Sequence, residues 1–116
     1  MKPLEIGVIR LCRSEDIGPG QVRGFDPASN EEDTVFVLRH PEGLRAYENQ
    51  CPHQGVRLEY RKDRFLSADG RFIVCYAHGA RFDPLTGHCY DGACLGQTLR
   101  RLACHEHDGW LWCESP

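Results

Sequence analysis

No apolar run in this 116-residue chain approaches the roughly 18 residues that a membrane-spanning helix requires, so no membrane span is expected. A basic surplus is missing too: 14 Lys and Arg against 17 Asp and Glu leave a formal net charge of −3. That balance offers no electrostatic footprint for nucleic acid. Export features are absent from the opening residues Met1-Lys2-Pro3-Leu4-Glu5-Ile6, which carry one basic residue but no apolar segment and no small-residue cleavage site. A cytoplasmic protein is therefore expected. Internal repeats, low-complexity tracts and a long helical pattern are lacking as well. What is left is an ordinary globular composition, 27% charged and 41% hydrophobic. The length suits one domain over residues 1–116 with a modest core, and nothing in it demands more than a monomer.

Cysteine, by contrast, is plentiful. There are seven, an odd number, in a chain read as cytoplasmic, so free thiols are expected rather than a disulfide framework. Cys12 and Cys113 close strand-like runs and read as small buried hydrophobes. Cys89 and Cys94 flank Tyr90-Asp91-Gly92-Ala93, and chain length alone would permit a bridge between them. The remaining cysteines lie in Cys/His pairs. Cys51-Pro52-His53 is one, and Cys75-Tyr76-Ala77-His78 is a second, with 21 residues between His53 and Cys75. A glycine follows each pair closely, Gly55 after Gln54 and Gly79 directly after His78. Glycine there permits positive φ and a close approach of backbone N–H to an anionic group. A third pair, in Cys104-His105-Glu106-His107, has no glycine after its histidine and precedes the turn Asp108-Gly109. It reads as a surface hairpin with a buried cysteine.

Each of the first two segments carries one sulfur and one nitrogen donor. Zinc fingers usually group C-x2-4-C and then H-x3-5-H. Two mixed pairs suit instead a dinuclear centre in which two cysteines hold one iron and two histidines the other. The stretch Tyr47-Glu48-Asn49-Gln50-Cys51-Pro52-His53-Gln54-Gly55, then Phe72-Ile73-Val74-Cys75-Tyr76-Ala77-His78-Gly79-Ala80-Arg81-Phe82-Asp83 and Thr86-Gly87, resembles the small Rieske-type ferredoxins. The resemblance covers roughly residues 45 to 95. It implies one [2Fe–2S] cluster, with Cys51 and Cys75 on a buried iron and His53 and His78 on an outer iron that takes the electron. It also implies an electron carrier between a flavoprotein reductase and an oxygenase or similar enzyme. A small Rieske subunit of a larger enzyme, such as an assimilatory nitrite reductase, and a non-redox metal-binding module are the alternatives. A complete Rieske oxygenase subunit would need a second domain with a mononuclear iron site.

Departures from the family refine this. In the high-potential members two further cysteines tie the ligand segments by a disulfide; here those positions hold Val56 and Ala77. A serine and a tyrosine donate hydroxyls to the cluster sulfurs there; here they are Ala80 and Phe82. Fewer donors disfavour the reduced, more negative state, so a potential toward the bottom of the Rieske range of about −150 to +300 mV is expected. Tyr76 stands where many members have proline. The spacer between the pairs is longer than is common in the family, through the basic stretch Leu58-Glu59-Tyr60-Arg61-Lys62-Asp63-Arg64. That stretch reads as a solvated loop or as a docking edge for an acidic partner.

The rest of the chain reads as all-β. Ile6 to Cys12 alternates and predicts an edge or outer strand; Gln21 to Phe25 predicts a short second strand. Thr34-Val35-Phe36-Val37-Leu38 is apolar on both faces and predicts a central strand, returning through His40-Pro41-Glu42-Gly43 into Leu44–Glu48. Gln97 to Cys104 and Trp110 to Glu114 predict a last hairpin. By the resemblance these strands form an antiparallel β-sandwich framework drawn from both chain ends, with a small cluster-binding subdomain inserted at about 49–87.

Overall fold

A computed structural model describes residues 7–115 of the chain. The reading of Met1–Ile6 lies outside the described residues. Among the described residues ten strands make three sheets, and every pairing is antiparallel. They are β1 (Val8–Arg13), β2 (Val22–Phe25), β3 (Val35–His40), β4 (Gly43–Glu48), β5 (Ile73–Cys75), β6 (Ala80–Phe82), β7 (Cys89–Asp91), β8 (Arg101–Leu102), β9 (Cys104–His107) and β10 (Trp110–Glu114). A one-turn 3₁₀ helix, Ser14–Asp16, follows β1. No helix among the described residues is long and apolar enough to cross a membrane.

β3 decides the layering. It sits inside the sheet β2-β3-β4-β8, and its side chains alternate between two cores. Val35 and Val37 face one, with Cys12, Ile17, Phe25, Ala46, Leu102, Leu111 and Cys113. Those partners come from both ends of the chain, and the sheet β1-β10-β9 supplies several of them. Phe36 and Leu38 face the other core, with Tyr47, Leu58, Phe65, Ile73, Phe82 and Leu99. The apolar run over 34–38 is thus explained by burial on both faces. β1 is an edge strand, as its alternation predicts.

The chain's last third departs from the predicted single hairpin. β8 leaves the hairpin and pairs with β4, at Ala46↔Leu102 and Tyr47↔Arg101. Only β9 and β10 form the hairpin, around Asp108 (φ 54°) and Gly109 (φ 82°). Two successive positive φ values match the right-handed twist of the flanking strands. The apolar spacing of 97–104 cannot show this sheet switch, because alternation is the same in either sheet.

Candidate metal centre

The first Cys/His segment leaves β4 at its C-terminal end. Asn49, almost fully buried, fixes this exit. Its backbone N–H donates to Thr34 O at 2.9 Å, and its Nδ2 donates to Asp33 O at 2.8 Å and to Glu59 Oε1 at 3.0 Å. Its Oδ1 accepts the Leu58 N–H at 2.9 Å. One amide therefore ties both ends of the segment 50–57 to the framework. The second segment is the connection between β5 and β6, so Cys75 closes a buried strand and His78 lies at the tip. Tyr76 N–H donates to Leu58 O at 2.9 Å, which joins the two segments.

The segments share one backbone device. Gly55 N–H donates to Cys51 O, and Gly79 N–H donates to Cys75 O, both at 2.7 Å. Each glycine is the fourth residue after its cysteine, at φ 73° and 77°. A side chain at such φ is strained, so glycine lets the chain reverse immediately after the donor atoms. The expected positive φ is present at both glycines, and their N–H groups close the turns onto the cysteine carbonyls.

The four side chains sort by chemistry. Cys51 and Cys75 are buried, and the Cys51 thiol adjoins that of Cys75. His53 and His78 are exposed, with ring centroids 5.4 Å apart. Burial pushes the Cys75 thiol above its ordinary range; the backbone N–H groups of Ala77 and His78 oppose this, while neighbouring Cys51 adds to it. A tetrahedral zinc needs its donors around one point. Here a sulfur pair lies inside and a nitrogen pair lies at the surface. Among the described residues, no three Cys, His, Asp or Glu side chains gather closely enough for one ion. The donor set fits a dinuclear cluster with one sulfur-bound and one nitrogen-bound iron.

Two features were not legible beforehand. Cys94, buried in the loop after β7, brings its sulfur to 3.4 Å from Cys51 Sγ. All seven cysteines are free, so no bridge joins Cys89 to Cys94; the Cys89 thiol donates to Asp91 O at 3.4 Å. The second feature is the spacer. Leu58 and Phe65 are core residues, Phe65 stacking on Phe36 at 4.3 Å. Asp63 Oδ1 accepts the Gly24 N–H at 2.7 Å and Lys62 Nζ donates to Gly24 O at 2.8 Å. The basic stretch is therefore a brace against β2. Tyr76 packs on Tyr60 at 4.5 Å and donates its hydroxyl to Leu66 O at 2.6 Å, so the residue replacing proline clamps the second segment to this brace.

The stretch Phe82-Asp83-Pro84-Leu85-Thr86-Gly87 supports the site from below. Asp83 Oδ1 accepts the Leu85 N–H at 2.7 Å, and Gly87 N–H donates to Asp83 O at 2.7 Å. Tyr47 donates its hydroxyl to Pro84 O at 2.8 Å. Gly87 has φ 79°, and a Cβ there would stand 2.8 Å from the Tyr47 ring. The third pair lies apart: Cys104 is half-buried in β9, while His105, Glu106 and His107 are exposed.

The sequence profile of the Rieske [2Fe–2S] domain matches residues 7–106. The ferredoxin component of the alkene monooxygenase system of Xanthobacter autotrophicus (strain ATCC BAA-1158 / Py2) is 31% identical over 78 residues, 67% of this chain and 58% of that protein. The match therefore spans less than two thirds of that relative. Among solved structures, the ferredoxin of carbazole 1,9a-dioxygenase from Nocardioides aromaticivorans IC177 superposes with a TM-score of 0.69 at 22% identity, over 95% of this chain and 99% of that one. A chain from the complex of reduced oxygenase and oxidised ferredoxin in carbazole 1,9a-dioxygenase gives 0.71 at 22% identity, over 92% of each chain. At that identity the superpositions establish the shared fold.

Proposed function

The chain belongs to the Rieske [2Fe–2S] domain family, and from that premise we propose that it is a ferredoxin that takes single electrons from a flavoprotein reductase and delivers them to an oxygenase. The observation that carries this is the sorting of donors: two buried thiols and two exposed imidazoles whose ring centroids lie 5.4 Å apart. In this reading Cys51 and Cys75 hold the inner iron, and His53 and His78 hold the outer one. The cluster, when bound, stores and returns one electron at a potential that its imidazole ligands raise above that of an all-thiolate centre. Gly55 and Gly79 fix the two ligand turns, and the exposed imidazoles put the electron's exit at the surface. Exposed Val56 lies on the first ligand segment and exposed Leu95 on the loop that carries Cys94. They offer a redox partner an apolar contact, which suits a short-lived encounter. The oxygenase as acceptor is supported by the relative's description as a ferredoxin component of a monooxygenase system. The protein acts as one cytoplasmic domain and a monomer, with residues 49–87 as its cluster-binding part.

Visible and EPR spectra before and after dithionite test the reading. A Rieske-type signal with a low average g, abolished by C75S and by H78A, is expected. A colourless, EPR-silent protein that retains zinc would overturn it. Redox titration should place the midpoint in the lower half of the family's range of about −150 to +300 mV.

A further inference from the structure

We infer that Cys94 donates a hydrogen bond from its thiol to the Cys51 sulfur and thereby raises the reduction potential of this protein. The inference rests on the proposed ligand role of Cys51. The two sulfurs stand 3.4 Å apart in a geometry in which either could donate. Ligation removes that ambiguity, because an iron-bound thiolate carries no proton and can only accept. The S–H of Cys94 must then point at Cys51.

The loop is built to hold it there. Gln97 N–H donates to Cys94 O at 2.8 Å, and Leu95 N–H donates to Gly92 O at 3.1 Å. Gly92 has φ 99° and lies so close to β6 that a Cβ would stand 2.8 Å from the Ala80 Cα. Cys94 itself is 1% exposed, so water does not compete for its thiol. The other buried thiols with an acceptor look elsewhere: Cys89 donates to Asp91 O at 3.4 Å and Cys113 to Glu114 O at 3.2 Å.

The consequence follows from charge. An added electron makes the ligand sulfurs more negative, and a donor aimed at one of them stabilises that state. Ala80 and Phe82 carry no hydroxyl, so their β6 positions supply no side-chain donor. Cys94 supplies one from a third loop, 43 residues beyond Cys51.

The test is redox titration of the cluster-loaded protein, wild type against C94A and C94S. For C94A the ratio of reduced to oxidised protein at the wild-type midpoint should fall about threefold, the size of one modest hydrogen bond. At 59 mV per tenfold for one electron, this is about 30 mV toward the negative. C94S, which keeps a donor, should lie between C94A and wild type. An unchanged midpoint in C94A, with the wild-type EPR signal intact, overturns the inference and leaves the ferredoxin reading standing. A wild type without a Rieske signal overturns the ferredoxin reading itself and the inference with it. Should C94A fail to assemble, the S–H stretching band in the infrared difference between wild type and C94S decides. A band lowered from the free-thiol position and moving on reduction supports donation; a free-thiol band indifferent to reduction refutes it.

Discussion

Val35 and Val37 look into one core and Phe36 and Leu38 into the other, yet the two sides of this strand are held by different means. On the framework side, β1 and β10 pair along five residues each, and the core joins residues of both chain ends to Val35, Val37 and Ala46 of the central strands. On the site side, β5, β6 and β7 have three residues each. Its order comes from polar pegs instead: Asn49 between two segments, Tyr47 on Pro84, Asp83 in its own turn. Four cysteines, Cys51, Cys75, Cys89 and Cys94, lie in this core, against Cys12 and Cys113 on the framework side. A side that must present free donor atoms gives up ladder length, and single hydrogen bonds then carry more of its shape.

Substitutions on the two sides should separate these roles. Phe36→Ala opens the site-side core where Phe36 stacks on Phe65, and should cost about 3–5 kcal/mol in denaturant unfolding. Leu111→Ala on the framework side should cost about 2–5 kcal/mol. Only the first should also quicken bleaching of the visible chromophore below the unfolding midpoint. Equal bleaching in both variants would erase the distinction between the cores.

Alkali acts on the site side through Tyr47. Burial raises its phenol from 10.0 to about 12. The sign is set by the unfolded chain, which ionises first: above pH 10 it has lost the proton that the folded protein still holds. Stability from this group is complete below pH 10 and is lost as pH rises toward 12, by roughly 2–3 kcal/mol. Tyr47→Phe should remove that part of the alkaline slope while costing about 1 kcal/mol at neutral pH for the bond to Pro84. Urea midpoints from pH 8 to 11 in both proteins measure the difference; parallel curves would refute it.

Asn49→Ala strands the buried Leu58 N–H, and about 1–3 kcal/mol should be lost. Amide exchange should quicken at residues 50–58 and stay unchanged in β9 and β10. The smallest effect belongs to Lys62→Ala. Its ion pairs with Asp33 (2.9 Å) and Asp63 (3.0 Å) are surface contacts, so the change should stay below about 1 kcal/mol and shrink with added salt. A larger loss would mean that the bond to Gly24 O is what locks the brace.

Much of the site was readable because its logic is local. Cys51 with His53, Cys75 with His78, and the two glycines lie within five residues of one another in each segment, and backbone turn geometry acts over that range. The Thr34–Leu38 run showed its burial on both faces for the same reason, since strand periodicity is a property of neighbours. Asn49 lies within the first motif, but its role depends on Asp33, Leu58 and Glu59, which the sequence does not place beside it. Residues 97–104 could not reveal which sheet they would join, because one alternation serves both.

The donor types, the turns that hold them and the strand character of the flanks follow from side-chain chemistry and short-range backbone sterics, and are therefore written in the order of the residues. That the spacer braces β2, that β8 joins β4, and that Cys94 meets Cys51 rather than Cys89 emerges on folding alone. Those are contacts between distant residues. They are selected by how two cores pack on opposite faces of one sheet, and no local pattern encodes that choice.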